Sequence, residues 1–198
     1  MTAISATFSR NALRWLEYIA YPAAAGAAFA ILSLGVVTWL PAAAAMAHAL
    51  QSWRVDSDSR CFTGVFRAWR LYWRALLPHS IASTAALVLL GLDIAFLVGR
   101  REPVAFLLLA VQAGILAAFA IYHLALAVVA AQEPTRTVAQ WRRAALAFGF
   151  GSVNRGTALL GAAIAAPILT IVVPLGPVLL GTTLPVLVAL SISERESR

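Results

Sequence analysis

Few side chains in this sequence could do chemistry, and several of those that could lie in long apolar runs. The chain of 198 residues has three histidines, one cysteine and eight acidic residues. Asp93, His123 and, more weakly, His79 and Gln112 fall within or beside apolar stretches. An ionisable side chain inside a membrane is costly, so each is a candidate for a functional site. A proton relay or ion-coupling pair would need Asp93 and His123 at a similar depth.

The expected depths of Asp93 and His123 argue against such a pair. Counted from the centres of their apolar runs at ~1.5 Å per residue, the two side chains differ in depth by roughly 18 Å. His123 is interpreted as a histidine that bonds a neighbouring backbone or hydroxyl group near the inner interface. Asp93 is predicted to be structural, with Arg100 or Gln112 as its partner. Binding of a cation or a sugar hydroxyl by Asp93 from the outer side is the alternative.

The sequence motifs of common enzyme classes are absent from the chain. It contains no His-Glu-x-x-His zinc pair, no Gly-x-Ser-x-Gly nucleophile elbow, no Gly-x-x-x-x-Gly-Lys phosphate loop and no paired carboxylates. The single cysteine, Cys61, excludes an intramolecular disulfide framework and gives no metal-ligand spacing. The sequence therefore predicts a protein that is not an enzyme, with no catalytic, cofactor or metal site.

The elements that carry the polar residues are predicted to be membrane-spanning helices. Hydrophobic residues make up 62% of the chain and charged residues 12%, far from the composition of a soluble domain. Residues 19–40, 76–98 and 104–131 are apolar runs long enough to cross a ~30 Å hydrocarbon core. The apolar region 157–193 is interrupted by prolines, which predicts two short arms that are either kinked spans or a re-entrant hairpin. We expect an all-α, multi-pass transmembrane helical bundle of about five spans, with residues 1–198 as a single integral membrane domain.

Two further segments combine aromatic residues with arginine and predict helices that lie in the membrane interface. Four aromatic side chains recur at helical spacing in residues 60–74, and residues 135–150 repeat the pattern more weakly. The net charge of +7 is assigned to membrane topology, and no nucleic-acid binding is expected. The basic side chains predicted to face lipid or a partner protein are Arg67, Arg70, Arg74, Arg142 and Arg143.

The distribution of arginine predicts the orientation of the chain. With five spans, eleven of the fifteen arginines fall on one side, in residues 41–75, residues 132–156 and the C-terminal tail. Basic residues collect on the cytoplasmic side of membrane proteins. The distribution therefore predicts an outside N-terminus and a cytoplasmic C-terminus in a bacterial cell membrane, although Arg10 and Arg14 beside the first span argue for the opposite orientation.

Part of the sequence resembles a known family. The run Leu34-Gly35-Val36-Val37-Thr38-Trp39-Leu40-Pro41, the segment Phe66-Arg67-Ala68-Trp69-Arg70 and the pair Leu92-Asp93 are similar to the YesL-like bacterial integral membrane proteins, a domain family of unknown function. Gly35 stands where that family usually has proline, and the match covers about a third of the chain. The resemblance implies a membrane protein that is often encoded beside carbohydrate uptake systems.

Two functions are consistent with these observations. One is an accessory or scaffold component associated with carbohydrate uptake of the ABC type, whose arginine-rich helices contact transporter subunits. The other is a small transporter or channel that acts as a homo-oligomer, because a few short spans with so few polar residues enclose little of an aqueous path. The resemblance favours the first. The expected partners are the lipid bilayer together with transporter subunits or further copies of the chain.

Overall fold

The structure of the protein is a computed structural model, which describes residues 2–172 and 183–196, and the side chains of residues 17–165 and 183–194. Within these ranges the fold is all-α, with seven helices and no strand. They are α1 (Thr2–Ser33), α2 (Trp39–Asp56), α3 (Cys61–Val98), α4 (Pro103–Gln132), α5 (Val138–Phe150), α6 (Val153–Val172) and α7 (Thr183–Glu196). The predicted interruption of the last apolar region lies outside the described residues.

Helices α3 and α4 form an antiparallel hairpin with a short turn at residues 99–102. With 38 and 30 residues, they are about 57 and 45 Å long. Both are long and apolar enough to cross a membrane, and only 17% and 11% of their most apolar stretches are buried. The predicted spans 76–98 and 104–131 are therefore found as helices. In the described part of the chain these two helices meet the length and composition of a span, whereas five spans were predicted.

The segment predicted as an interfacial helix, residues 60–74, is not a separate element. It forms the first half of α3, which continues without interruption through Pro78. The aromatic stripe of this segment is exposed or half-buried and only flanks the core. The buried side of the helix instead consists of other residues at helical spacing, which are Cys61, Val65, Ala68, Tyr72 and Leu76.

The predicted first span, residues 19–40, is divided between two helices. α1 ends at Ser33 and α2 begins at Trp39, and the turn between them holds Val36 at a φ of 54°. Pro41 lies in the first turn of α2, where a backbone N–H has no partner within the helix and its absence is tolerated. The chain therefore reverses direction before the predicted span is complete.

Helix α2 lies in the core of the protein. The segment 41–75 was predicted to stay on one side of the membrane, but α2 packs against α1, α3, α4 and α7. Most of its buried residues are alanines, whose small side chains let the neighbouring helices approach closely. The same small side chains give α2 weak apolar character, which conceals its burial in the sequence. The buried residues are Leu40, Pro41, Ala42, Ala44, Ala45, Met46, Ala47, Ala49 and Leu50.

Contacts along α2 show how far it runs beside the hairpin. The indole N–H of Trp39 donates to the Thr84 hydroxyl over 3.0 Å, and the ring of His48 lies 3.2 Å from the Tyr72 hydroxyl. α2 is therefore antiparallel to α3 and begins beside Thr84. Residues 85–120 of the hairpin extend past this point and are largely exposed, whereas the other halves of α3 and α4 carry most of the buried core.

Helix α5 packs against the second half of α4. A capping box begins the helix, in which the Thr137 N–H donates to Gln140 Oε1 over 2.9 Å and the Gln140 N–H donates to Thr137 Oγ1 over 3.4 Å. A Cβ atom on Gly149 would lie 3.0 Å from Cγ2 of Ile121, so the absence of a side chain permits this close approach. The predicted helix within residues 135–150 is confirmed, and one side of it belongs to the core.

The first and last helices meet at one end of the bundle. Tyr18 and Tyr21 of α1 contact the ring of Trp53 near the end of α2, each with ring centres 5.7 Å apart. Beside them, Arg54 forms an ion pair of 2.8 Å with Glu194 of α7. These contacts place the middle of α1 and the end of α7 beside the same end of α2, whereas the sides of the membrane on which the two termini lie stay a prediction. Helix α2, which the sequence did not predict as a core helix, returns the chain to the level of Tyr18 and Tyr21 in the middle of α1.

Candidate functional site

Asp93 and Gln112 contact each other across the α3–α4 hairpin. Gln112 Nε2 donates to Asp93 Oδ2 over 3.3 Å, and the Asp93 side chain is exposed. The predicted contact with Gln112 is therefore confirmed. The predicted contact with Arg100 is wrong, because α3 ends at Val98 and the Arg100 guanidinium lies over the Phe96 ring, 4.6 Å from its centre.

His123 is buried where the exposed part of the hairpin meets the core. Its Nδ1 lies 2.8 Å from the Phe119 carbonyl oxygen, and its Nε2 lies 2.8 Å from the Ser83 hydroxyl. Because a carbonyl oxygen only accepts, the neutral ring carries its hydrogen on Nδ1, and Nε2 accepts from Ser83. The interpretation of His123 as a histidine bonded to a hydroxyl and a backbone group is confirmed.

Rings from three helices surround His123. The ring of His79 on α3 stacks on it with centres 5.6 Å apart, Trp39 of α2 lies at 5.2 Å and Tyr122 of α4 at 4.9 Å. His79 Nε2 is buried and has no hydrogen-bond partner. The two histidines offer at most two nitrogen ligands, fewer than the three or four protein ligands of a zinc site. Among the side chains that the structure describes, no three of His, Cys, Asp or Glu come close enough to hold a metal ion.

A tyrosine hydroxyl hydrogen-bonds a backbone carbonyl at the C-terminal end of α4. Pro134 follows shortly after α4 and lacks the N–H that would otherwise bond the Ala130 carbonyl. The buried hydroxyl of Tyr72 replaces that donor and bonds the Ala130 carbonyl oxygen over 3.1 Å. This contact joins α3 to α4 at a point where a buried carbonyl would have no partner of its own.

Side chains of α2 and α5 contact two more backbone carbonyls at the C-terminal end of α4. His48 lies 3.3 Å from the carbonyl oxygen of Ala131, and the indole N–H of Trp141 donates to the Glu133 carbonyl over 2.8 Å. Sequence reasoning missed His48, Tyr72 and Trp141 as members of one cluster. The only sequence signal was the proline after α4, which leaves helix carbonyls without donors but does not identify the donors that replace them.

The arginines predicted to face lipid or a partner are exposed on two helices. On α3 they lie beside Trp69 and Trp73, whose rings stack with centres 5.6 Å apart and an angle of 16° between their planes. The Arg74 guanidinium lies 5.3 Å from the centre of the Trp73 ring. We name this surface of α3 the basic face, and it consists of Arg67, Trp69, Arg70, Trp73 and Arg74. The exposed arginines of α5 are Arg142 and Arg143.

A cleft of about 900 Å³ opens between α1, α2 and α7. Tyr18, Tyr21 and Trp53 form its aromatic wall, and Arg54 and Ser191 contribute polar groups. The Arg54 guanidinium pairs with Glu194 and lies 3.5 Å from the Ser191 hydroxyl, so its charge is compensated within the protein. These groups could stack on and hydrogen-bond a small polar molecule, but they do not include a nucleophile beside a general base.

Three of the predicted site residues therefore serve as links between helices. Asp93 and Gln112 join the two arms of the hairpin, and His123 joins them again closer to the core. Asp93 pairs with Gln112 and His123 with Ser83 and Phe119, and none of the three residues lines the cleft beside Arg54. Comparisons of this chain with protein-family models, with curated proteins and with solved structures give no match.

Proposed function

We propose that this chain is an integral membrane protein that serves as an accessory or scaffold component beside a carbohydrate uptake transporter. The observation that carries the proposal is the α3–α4 hairpin, two long apolar helices whose outer halves are exposed although the rest of the protein has a packed core. The link to carbohydrate uptake comes from the resemblance to the YesL-like proteins.

The exposed side chains of the hairpin support insertion into lipid. Leu92, Phe96, Phe106 and Leu107 are each exposed by more than 60%. Soluble proteins rarely leave a continuous apolar surface as long as these two helices in contact with water. In a bilayer the same surface faces hydrocarbon, and the hydrogen bonds within each helix satisfy its backbone.

The distribution of charge supports an orientation with the basic face towards the cytoplasm. The stretch between Arg74 and Arg100 is about 39 Å long at 1.5 Å per residue, enough for the hydrocarbon core and part of each headgroup layer. In this orientation α1 and α2 enter from the cytoplasmic side and turn back near the depth of Thr84. The region 157–193 keeps its predicted assignment as two membrane-embedded arms, and the turn at residues 99–102 faces outwards.

The paired polar residues favour a scaffold over an independent transporter. A conduction path needs polar groups that face a water-filled space. Asp93 bonds Gln112, His123 bonds Ser83, and Trp39 bonds another side chain of α3. In contrast, the basic face presents three arginines and two stacked indoles to the surroundings, a combination suited to an acidic surface of a partner protein.

Affinity purification from native membranes in a mild detergent tests the proposal. The wild-type chain is expected to bring membrane subunits of a carbohydrate transporter with it, as identified by mass spectrometry. Replacing Arg67 and Arg70 with Gln should reduce their recovery, because the basic face would lose two charges. The matched control replaces Arg100 and Arg101 with Gln at the opposite end of the hairpin and should leave recovery unchanged. Purification of the wild-type chain without any transporter subunit would contradict the accessory role.

The aromatic part of the basic face is expected to act on stability more than on partner binding. Trp69 is half-buried against the core and stacks on Trp73, which is also half-buried, whereas Arg67 and Arg70 are exposed. Replacing both tryptophans with Ser should lower the midpoint of thermal unfolding in detergent more than replacing both arginines with Gln. Equal midpoints for the two double variants would show that the aromatic side chains do not anchor this part of α3.

A further inference from the structure

Apart from the turn at residues 99–102, Asp93 and Gln112 are the only polar side chains on the outer part of the hairpin. In residues 85–98 and 103–120 every other side chain is apolar. The pair lies about 9 Å below the turn at residues 99–102, measured along α3 at 1.5 Å per residue. If the hairpin spans the bilayer as proposed above, the carboxyl and amide groups lie within its hydrocarbon region.

The single hydrogen bond between the two residues does not satisfy their polar atoms. Gln112 Nε2 uses one of its two N–H groups on Asp93 Oδ2, and among the residues that the structure describes neither side chain has a further hydrogen-bond partner. Hydrogen bonds can still be formed by the second N–H and the carbonyl oxygen of the Gln112 amide and by the remaining lone pairs of the Asp93 carboxyl group. Hydrocarbon offers no partner for these atoms, so leaving them exposed to lipid is unfavourable.

The pair occupies the middle of one continuous surface of the hairpin. Helical spacing puts Leu89 on the same side of α3 as Asp93, and Leu108 and Ile115 on the same side of α4 as Gln112. All three apolar side chains are exposed, by 64%, 44% and 50% respectively. We name this surface the polar-pair face.

We infer that two copies of this chain associate in the membrane through their polar-pair faces. Copies inserted in the same orientation are related by a twofold axis along the membrane normal, so the polar pairs of both copies lie at the same depth. The pair carries donors and acceptors together, and the remaining Gln112 N–H of each copy can bond the Asp93 carboxyl of the other. A different partner would need a matching polar group at that depth, whereas a second copy supplies one by symmetry. The inference rests on the proposed membrane insertion of the hairpin.

Energy transfer between labelled copies in vesicles tests the inference. The full chain is purified, labelled separately with a donor and an acceptor dye, and reconstituted in vesicles of phosphatidylethanolamine and phosphatidylglycerol at decreasing protein-to-lipid ratios. Replacing both Asp93 and Gln112 with Leu should raise the dissociation constant of the dimer about tenfold, from the loss of two intermolecular hydrogen bonds. Asp93→Asn keeps a side chain that can bond Gln112 and should change the constant less than threefold. A wild-type chain that is monomeric at every ratio, or a double Leu variant that associates as well as the wild type, would overturn the inference.

Cysteine crosslinking provides a second test that does not require the variant with Leu at both positions 93 and 112 to fold. In a chain with Cys61→Ser, Leu89→Cys should form an intermolecular disulfide under mild oxidation. The control, Val88→Cys, lies at nearly the same depth as Leu89 but about 140° around α3 from Asp93 at 100° per residue, and should not. The reverse pattern, or crosslinking at neither position, would contradict the inferred face. Neither experiment contains a transporter, so failure here leaves the accessory role untouched, and failure of co-purification leaves the dimer untouched.

Discussion

Removal of the Tyr72 hydroxyl should destabilise the protein by leaving a buried backbone carbonyl unpaired. In the wild type this hydroxyl donates to the Ala130 carbonyl oxygen over 3.1 Å, and the tyrosine is only 1% exposed. Pro134 cannot donate to that carbonyl, and Ala130 itself is fully buried. A buried acceptor left without a partner costs about 1 to 3 kcal/mol, so Tyr72→Phe should lower the free energy of unfolding by about 2 kcal/mol.

The lone cysteine provides the assay. Cys61 is 2% exposed in the folded protein and becomes accessible on unfolding, so a thiol-reactive fluorophore reports thermal unfolding of the detergent-solubilised chain. A loss of about 2 kcal/mol corresponds to a decrease of roughly 4 to 8 °C in the midpoint for a protein of this size. Tyr18→Phe is the matched control, because Tyr18 is 65% exposed and its hydroxyl has access to solvent.

A proline substitution separates the carbonyl from other effects of the lost hydroxyl. Pro134→Ala restores a backbone N–H four residues after Ala130, where it can donate to the same carbonyl. In the Tyr72→Phe background this change should recover part of the lost stability. A midpoint for Tyr72→Phe equal to that of Tyr18→Phe would refute the reasoning, since the carbonyl would then have found another partner.

Two further predictions use the same thermal assay. Gly91→Ala should raise the free energy of unfolding by about 0.5 to 1 kcal/mol, since the new Cβ meets nothing within 4 Å and glycine is unfavourable within a helix. Gly149→Val should instead lower it by about 1 to 3 kcal/mol, because the larger side chain would overlap with Ile121. Equal effects of the two substitutions would show that α4 and α5 are not in close contact. Ser83→Ala should lower stability by about 1 to 2 kcal/mol, because His123 Nε2 would lose its donor, and an unchanged midpoint would contradict that bond.

The parts of the fold that could be predicted from sequence are those in which one physical constraint dominates. Residues 76–98 and 104–131 are apolar over the full width of a bilayer, and the only fold consistent with so short a turn between them is an antiparallel hairpin. The hairpin brings Asp93 and Gln112 to a similar depth, so their contact could be predicted as well. The Arg100 contact failed because it required α3 to continue two residues beyond Val98.

Other features depend on packing between distant helices, which leaves little trace in the sequence. Helix α2 is buried mainly through alanine, and its apolar character is too weak to distinguish a core helix from a linker. The bond between Tyr72 and Ala130 joins residues 58 apart and exists only because α3 and α4 pack at a particular register. Proline was an ambiguous signal, because Pro78 and Pro41 lie within helices whereas Pro134 follows the end of one.

The membrane crossing of the α3–α4 hairpin is tested most directly by the accessibility of cysteines at its two ends. In a chain with Cys61→Ser, Arg70→Cys and Arg101→Cys are introduced separately and exposed to a membrane-impermeant maleimide in right-side-out and in inverted membrane vesicles. The proposed orientation predicts that Arg101→Cys reacts in the right-side-out vesicles and Arg70→Cys in the inverted ones. Reaction of both variants in the same type of vesicle would contradict a crossing of the bilayer between residues 70 and 101.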